Sequence, residues 1–280
     1  MINLNKWKKI VYYLCEFLLA ISLFIIILLF ILKITILSPN YIINKMQENN
    51  YYEQVYKSLE KEMPNYIIQS GLPKEVLEDI YTKEEIKKEL DKYIKALYQG
   101  RAEKINTKNI EEKLSKNIDN YFNENNIRIT EKESIDKFIL QIADIYKTEI
   151  IQSDSILKMQ DFIPKINFMV NIIIGIIIFI SIILVFIIKY VLKNNIKSIS
   201  FLTVAFLLLI SYFFIKESID IKNLIILTDY FSTLVKSILN QILNNIRNSA
   251  IILIIISIIK ITIDNLIKKK KEIKIIKIEE

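Results

Sequence analysis

Residues 17–32 read FLLAISLFIIILLFIL, a run that carries no charge. With its flanks it is long enough to cross a bilayer as a helix, and in hydrocarbon every backbone N–H and C=O must be bonded within the protein. Three further runs follow: FMVNIIIGIIIFISIILVFII (168–188), ISFLTVAFLLLISYFFI (199–215) and AIILIIISIIKITI (250–263). The fourth is the weakest, because Lys260 interrupts it. The chain is 52% apolar yet 25% charged. The two populations are segregated, with the charges lying between and beyond the spans.

Lysine placement orients the spans. Lys6, Lys8 and Lys9 precede the first, Lys189, Lys193 and Lys197 follow the second, and Lys268, Lys269, Lys270 and Lys271 follow the fourth. Four spans put all three groups on one side, which the positive-inside rule makes cytoplasmic. Segment 38–168 is then expected outside; there acidic residues outnumber basic ones, 23 to 20. The net charge of +7 is therefore peripheral and topological, which argues against a nucleic-acid partner. The N-terminus has the basic start of a signal peptide, but its apolar stretch is too long and no small-x-small site follows. An uncleaved signal-anchor helix is expected. The sole cysteine, Cys15, lies at the entry of that helix, so the outer domain is expected to lack disulfides.

The expected layout is an all-α integral plasma-membrane protein. It has a cytoplasmic N-terminus and first span (1–37), an extracytoplasmic helical domain (38–167), a second span (168–189) and a cytoplasmic link (190–198). A third span (199–215), an extracytoplasmic amphipathic helix (216–248), a fourth span (249–267) and a basic cytoplasmic tail (268–280) follow.

Within the outer segment apolar positions recur at helical spacing. One stripe is Tyr52, Val55, Tyr56, Leu59, Met63, Tyr66 and Ile67, in which Pro64 should kink the helix or end it early. Others run through Val76, Leu77 and Ile80; Ile86, Leu90, Tyr93, Ile94 and Leu97; Ile110, Leu114, Ile118 and Tyr121; and Ile135 to Ile150. The joints are legible too. Gly71 suits a helix stop and Pro73 the start of a short helix. Thr82 with Glu85, and Thr130 with Glu133, have capping-box spacing, and Asn106 or Thr107 caps a helix over 108–122.

The run NNYYEQVYKSLEKEMPNYIIQSGLPKEVL, with YIKALYQG and IADIYKTEI further on, resembles outer segments of uncharacterised multi-span membrane proteins of low-GC Gram-positive bacteria. The resemblance covers about residues 40–150. It implies architecture and habitat and brings no activity or catalytic residue with it.

Chemistry is sparse. With no histidine, the commonest general base and metal ligand is missing, and Ser-His-Asp or Cys-His arrangements are ruled out. Glu84, Glu85, Glu89 and Asp91 cluster, but their interleaving with Lys83, Lys87, Lys88 and Lys92 reads as a solvated helix face. The sequence implies no catalytic residue, no cofactor and no metal. Ten of the fifteen tyrosines lie in the outer domain, where core or interfacial positions are favoured over a ligand groove. The better lead is intramembrane charge, which is costly in lipid. One reading pairs Lys260 with Asp264 near the headgroups; the other pairs Glu16 with Lys260 between helices. Residues 221–246 are amphipathic, either lying on the leaflet or docking under the helical domain. Lys268 to Lys271 are candidate contacts for anionic lipid.

The expected function is non-catalytic binding, sensing or scaffolding, with membrane lipids and a membrane or envelope protein, or a second copy, as partners. Two alternatives stay open. A span, a large outer domain and then three spans is the layout of a permease-like subunit of an ABC-type complex. A carboxylate-dependent membrane hydrolase is the other.

Overall fold

The computed structural model describes residues 4–101, 105–128, 132–151 and 158–279; the side chains of residues 4, 5, 68, 69 and 268–279 lie outside the description. All regular secondary structure among the described residues is helical, without a strand, and four of the helices are long and apolar enough to cross a membrane. It divides into two compact units. One comprises residues 36–167 and 224–238, and the other holds residues 1–35, 168–223 and 239–280.

The first unit is a helical domain. Its helices are α2 (Pro39–Glu48), α3 (Tyr51–Ser70), α4 (Lys83–Tyr98), α5 (Lys108–Glu124) and α6 (Lys132–Ile151). The apolar stripes meet in one core, where Val55, Leu59, Met63 and Ile67 of α3 are fully buried with Ile86, Leu114, Ile118 and Ile142. Tyr66 is the member of the α3 stripe left exposed.

Local signals set most boundaries. Thr82 Oγ1 accepts from the Glu85 N–H at 3.2 Å while Glu85 Oε2 accepts from the Thr82 N–H at 2.9 Å, a complete capping box for α4. Gly71 takes φ +76° just after α3, the left-handed conformation that closes a helix. Pro73 then precedes a single 3₁₀ turn, Lys74–Leu77, rather than opening an α-helix. Asn106 Oδ1 accepts from the Lys108 N–H at 3.1 Å at the start of α5. The second expected capping box, at Thr130, lies outside the described residues.

Pro64 does not end α3, which runs six residues further to Ser70. A helix interrupted by proline loses backbone bonds around the preceding turn. Here the Asn65 side chain donates to the Lys61 carbonyl at 3.1 Å, and the buried pair Met63 and Ile67 holds both sides of the interruption to the core.

The second unit is the membrane bundle: α1 (Leu4–Ile34), most of α7 (Ile163–Phe186), α8 (Ser198–Ser218) and most of α9 (Asp229–Glu279). A π-helical turn, Ile187–Val191, extends α7. Only 11% to 28% of the most apolar window of any span is buried, so most of this surface needs lipid or another protein around it. Tyr12, Cys15 and Leu19 of α1 pack on Leu184 and Ile188, while Lys33 at the far end of α1 donates to Asn171 Oδ1 at 2.6 Å. Hence α1 and α7 run antiparallel. Ala20 and Ile31 of α1 share a cluster with Val204 and Leu208 of α8 and with Ile246 and Ala250 of α9.

The surface helix and the fourth span expected as two elements form a single helix, α9, that starts at Asp229 rather than near residue 221. Ser232 explains the late start: its hydroxyl bonds the Ile226 N–H at 2.7 Å and folds residues 226–228 into a turn, with Leu227 at φ +57°. The first residues of α9 belong to the helical domain. Leu234 is buried in its core, the Tyr230 ring meets Tyr51 edge-on at 5.2 Å, and the Tyr230 hydroxyl donates to Glu149 at 2.8 Å.

Candidate functional site at one end of the bundle

The most unusual side chain in the membrane unit is Glu16, a carboxylate on an apolar helix that is only 5% exposed. It points at the N-terminus of α8. A helix begins with N–H groups that have no intrahelical partner and with the positive end of its dipole. Lys197 is the N-cap of α8 and supplies no capping side chain of its own. Glu16 does so from α1: Oε1 accepts from the Lys197 N–H at 2.9 Å, and Oε2 accepts from the Ser200 hydroxyl. The Tyr12 hydroxyl, one turn back on α1, lies 2.9 Å from both Glu16 Oε1 and the Asn195 carbonyl, its one proton shared between two acceptors. Together these bonds compensate a buried charge through a helix end and hydroxyls rather than through a cation.

The Lys197 ammonium turns outward. It sits 5.2 Å from the Tyr12 ring centre, 4.8 Å from that of Tyr13, and 3.4 Å from the Tyr13 hydroxyl. The two rings meet edge-on at 5.4 Å.

Neither expected intramembrane ion pair forms among the described residues: Glu16 is not bridged to Lys260, nor Lys260 to Asp264. The physical reason is that Glu16 already has its donors, while Lys260 Nζ lies 5.9 Å over the Phe201 ring, a cation–π contact on α8. Asp264 is exposed. Lys268, Lys269, Lys270 and Lys271 continue the helix α9, and their side chains lie outside the described residues. Tyr12, Lys197 and Ser200 were not singled out from sequence as partners of Glu16. The available signals were the Tyr12–Glu16 spacing of four and the serines that open α8.

In the helical domain three of the four α4 carboxylates are bound into structure, and Glu84 is exposed. Glu85 completes the capping box and pairs with Lys113 at 2.9 Å; Asp91 accepts from the Tyr52 hydroxyl at 2.5 Å; Glu89 accepts from the Tyr146 hydroxyl at 3.1 Å. Burial pushes Glu89 above the ordinary carboxylate value, helped by the Glu85 charge and opposed by the Tyr146 bond and Lys92. For Glu85 burial pulls upward too, but the bonds from Lys113 and Thr82 outweigh it and the net shift is downward. Tyr51, Tyr52, Tyr93 and Tyr146 are buried, and Tyr56, Tyr81 and Tyr146 form a ladder of ring contacts at 5.7 and 5.9 Å. Burial pushes Tyr98 up to about 12, and its hydroxyl donates to the Ile36 carbonyl at 2.5 Å. No group of three possible metal ligands occurs among the described residues.

Comparison with protein-family models, with curated proteins and with solved structures finds no match to this chain.

Proposed function

We propose that this chain is a four-span plasma-membrane protein whose domain, residues 38–167, faces outward while both termini face the cytoplasm. In this reading it acts by binding, as a sensor, scaffold or accessory subunit, and not by catalysis. The observation that carries the sidedness is the position of the lysines. The start of α1 meets the end of α7 and the start of α8 through Tyr12 and Glu16, and Lys260 of α9 lies over Phe201 of α8. The lysine-rich segments around residues 6–9, 189–197 and 260–271 therefore converge on one end, as the positive-inside rule requires of a cytoplasmic face. The non-catalytic part of this reading is supported by the use made of Tyr52, Tyr146, Glu85, Glu89 and Asp91, which are engaged in core and cap contacts.

The test uses single cysteines at Asn120 and Asn194, both exposed positions, in a Cys15→Ala background. An impermeant maleimide applied to intact cells is expected to label position 120 and to spare 194. The reverse pattern would invert the topology.

A further inference from the structure

The lysines at the Glu16 end have a second use. Residues 1–16 and 189–200 hold six lysines, at positions 6, 8, 9, 189, 193 and 197, and one acid, Glu16. All six lysine side chains are exposed, and among the described residues none of them forms an ion pair. Glu16 is buried and engaged by α8, so it is no counterion for them.

Lys189 sits in the π-helical turn that extends α7, and Lys193 and Lys197 sit on the link after it, which is bonded at both ends. The Leu192 N–H bonds the Ile187 carbonyl at 2.9 Å and the Asn194 N–H bonds the Ile188 carbonyl at 3.0 Å, with Lys193 at φ +54° between them. The other end of the link is tied to α1 through the Asn195 carbonyl and the Lys197 N–H. Lys197 is seated against Tyr12 and Tyr13, and Lys189 Nζ lies 5.6 Å from the Tyr190 ring centre. An ammonium has three donors, and the Tyr13 hydroxyl takes at most one from Lys197. Holding cations in place before binding lowers the ordering cost of binding an anion.

Depth identifies the anion. Trp7, Tyr13 and Tyr190 are 52%, 57% and 60% exposed beside these lysines, at the ends of two spans. Exposed aromatic rings at span ends mark headgroup level in a bilayer. Phosphate oxygens there belong to lipids, and anionic headgroups are the complement of an unpaired lysine cluster.

We propose that Lys189, Lys193 and Lys197, with Lys197 held on the Tyr12–Tyr13 pair, form a binding site for the headgroup of an anionic phospholipid. This site is distinct from the candidate lysines at 268–271 and does not depend on which face of the membrane is cytoplasmic.

The full-length chain, purified in a neutral detergent, is melted with added phosphatidylglycerol or phosphatidylcholine. Phosphatidylglycerol is expected to raise the melting temperature more than phosphatidylcholine does. A Lys189→Gln, Lys193→Gln, Lys197→Gln variant should lose most of that difference, and the corresponding triple Lys→Arg variant should keep it, which separates lost charge from lost fold. Tyr13→Leu should weaken the effect. The proposal is overturned if the wild-type chain does not discriminate between the lipids, or if the glutamine variant discriminates as well as wild type. Full retention in Tyr13→Leu would remove the aromatic seat from the site. An equal shift with inorganic phosphate would show a free-anion site in place of a lipid one.

Discussion

The two units use apolar residues in opposite ways. In the helical domain Val55, Leu59, Met63 and Ile67 are wholly buried, and charges face outward. In the membrane bundle Phe179, Phe214 and Ile255 are 64%, 71% and 51% exposed, while Glu16, Ser200 and Ser257 are turned inward. The difference teaches that the surrounding medium decides the role of a residue type. In water, apolar burial is the dominant favourable term. In lipid that drive between helices is absent, so packing and interhelical polar contacts such as the Glu16 cap carry the association.

The comparison breaks most visibly through paired truncations. Leu59→Ala should destabilise the domain by about 2–5 kcal/mol, as for other large-to-small changes at fully buried sites. Phe214→Ala, on a lipid-facing surface, should cost about 0.5 kcal/mol or less, in the manner of exposed substitutions elsewhere. Chemical denaturation of the purified chain measures both, and equal costs would mean that Phe214 is covered by a partner. Next in size is Glu16. Replacing it by Ala removes a cap and charge-assisted bonds, a loss of about 2 kcal/mol of bundle stability. Glu16→Gln should lose less, because the amide oxygen still accepts from Lys197. A silent Glu16→Ala would show that apolar packing alone holds α1 to α8.

Smaller effects sharpen the account of the domain. Gly71 and Gly100 both have positive φ, at +76° and +69°. A Cβ at Gly71 meets nothing within 4 Å, whereas at Gly100 it comes within 3.2 Å of Pro164 Cγ and 3.3 Å of the Gln160 carbonyl. Gly71→Ala should therefore cost about 1 kcal/mol from backbone strain alone, and Gly100→Ala more. Lys74→Ala beside the first turn should be nearly silent in the same unfolding assay.

The smallest effect is a pH dependence of opposite sign at two acids one turn apart. The folded state raises Glu89, so its protonation favours folding, and stability falls as pH rises above the ordinary value of 4.5. Glu85 is lowered, so its contribution is present above 4.5 and is lost on acidification. Glu89→Gln should raise stability at neutral pH, since the amide oxygen can still accept from Tyr146, and Glu85→Gln should lower it. Melting curves from pH 3 to pH 8 read both signs.

Much of this was legible from residues alone because it depends on near neighbours along the chain. An uncharged run long enough to span, a stripe repeating every three to four residues, a threonine three before a glutamate, and a glycine after a helix each act within a few residues. Thus the four spans, the helical stripes, the α4 cap and the Gly71 stop followed from the sequence. Other features rest on contacts between distant segments, and only the tertiary structure decided them. Pro64 is carried within α3 because Met63 and Ile67 are anchored in a core built from several helices. The amphipathic segment became the start of α9 because Leu234 and Tyr230 found places in the domain core. Glu16 took the end of α8 instead of Lys260, capping the backbone N–H of Lys197, which lies 181 positions further along the chain. A carboxylate in an apolar helix announces that it needs a partner, and the packing of the bundle determines which partner lies within reach.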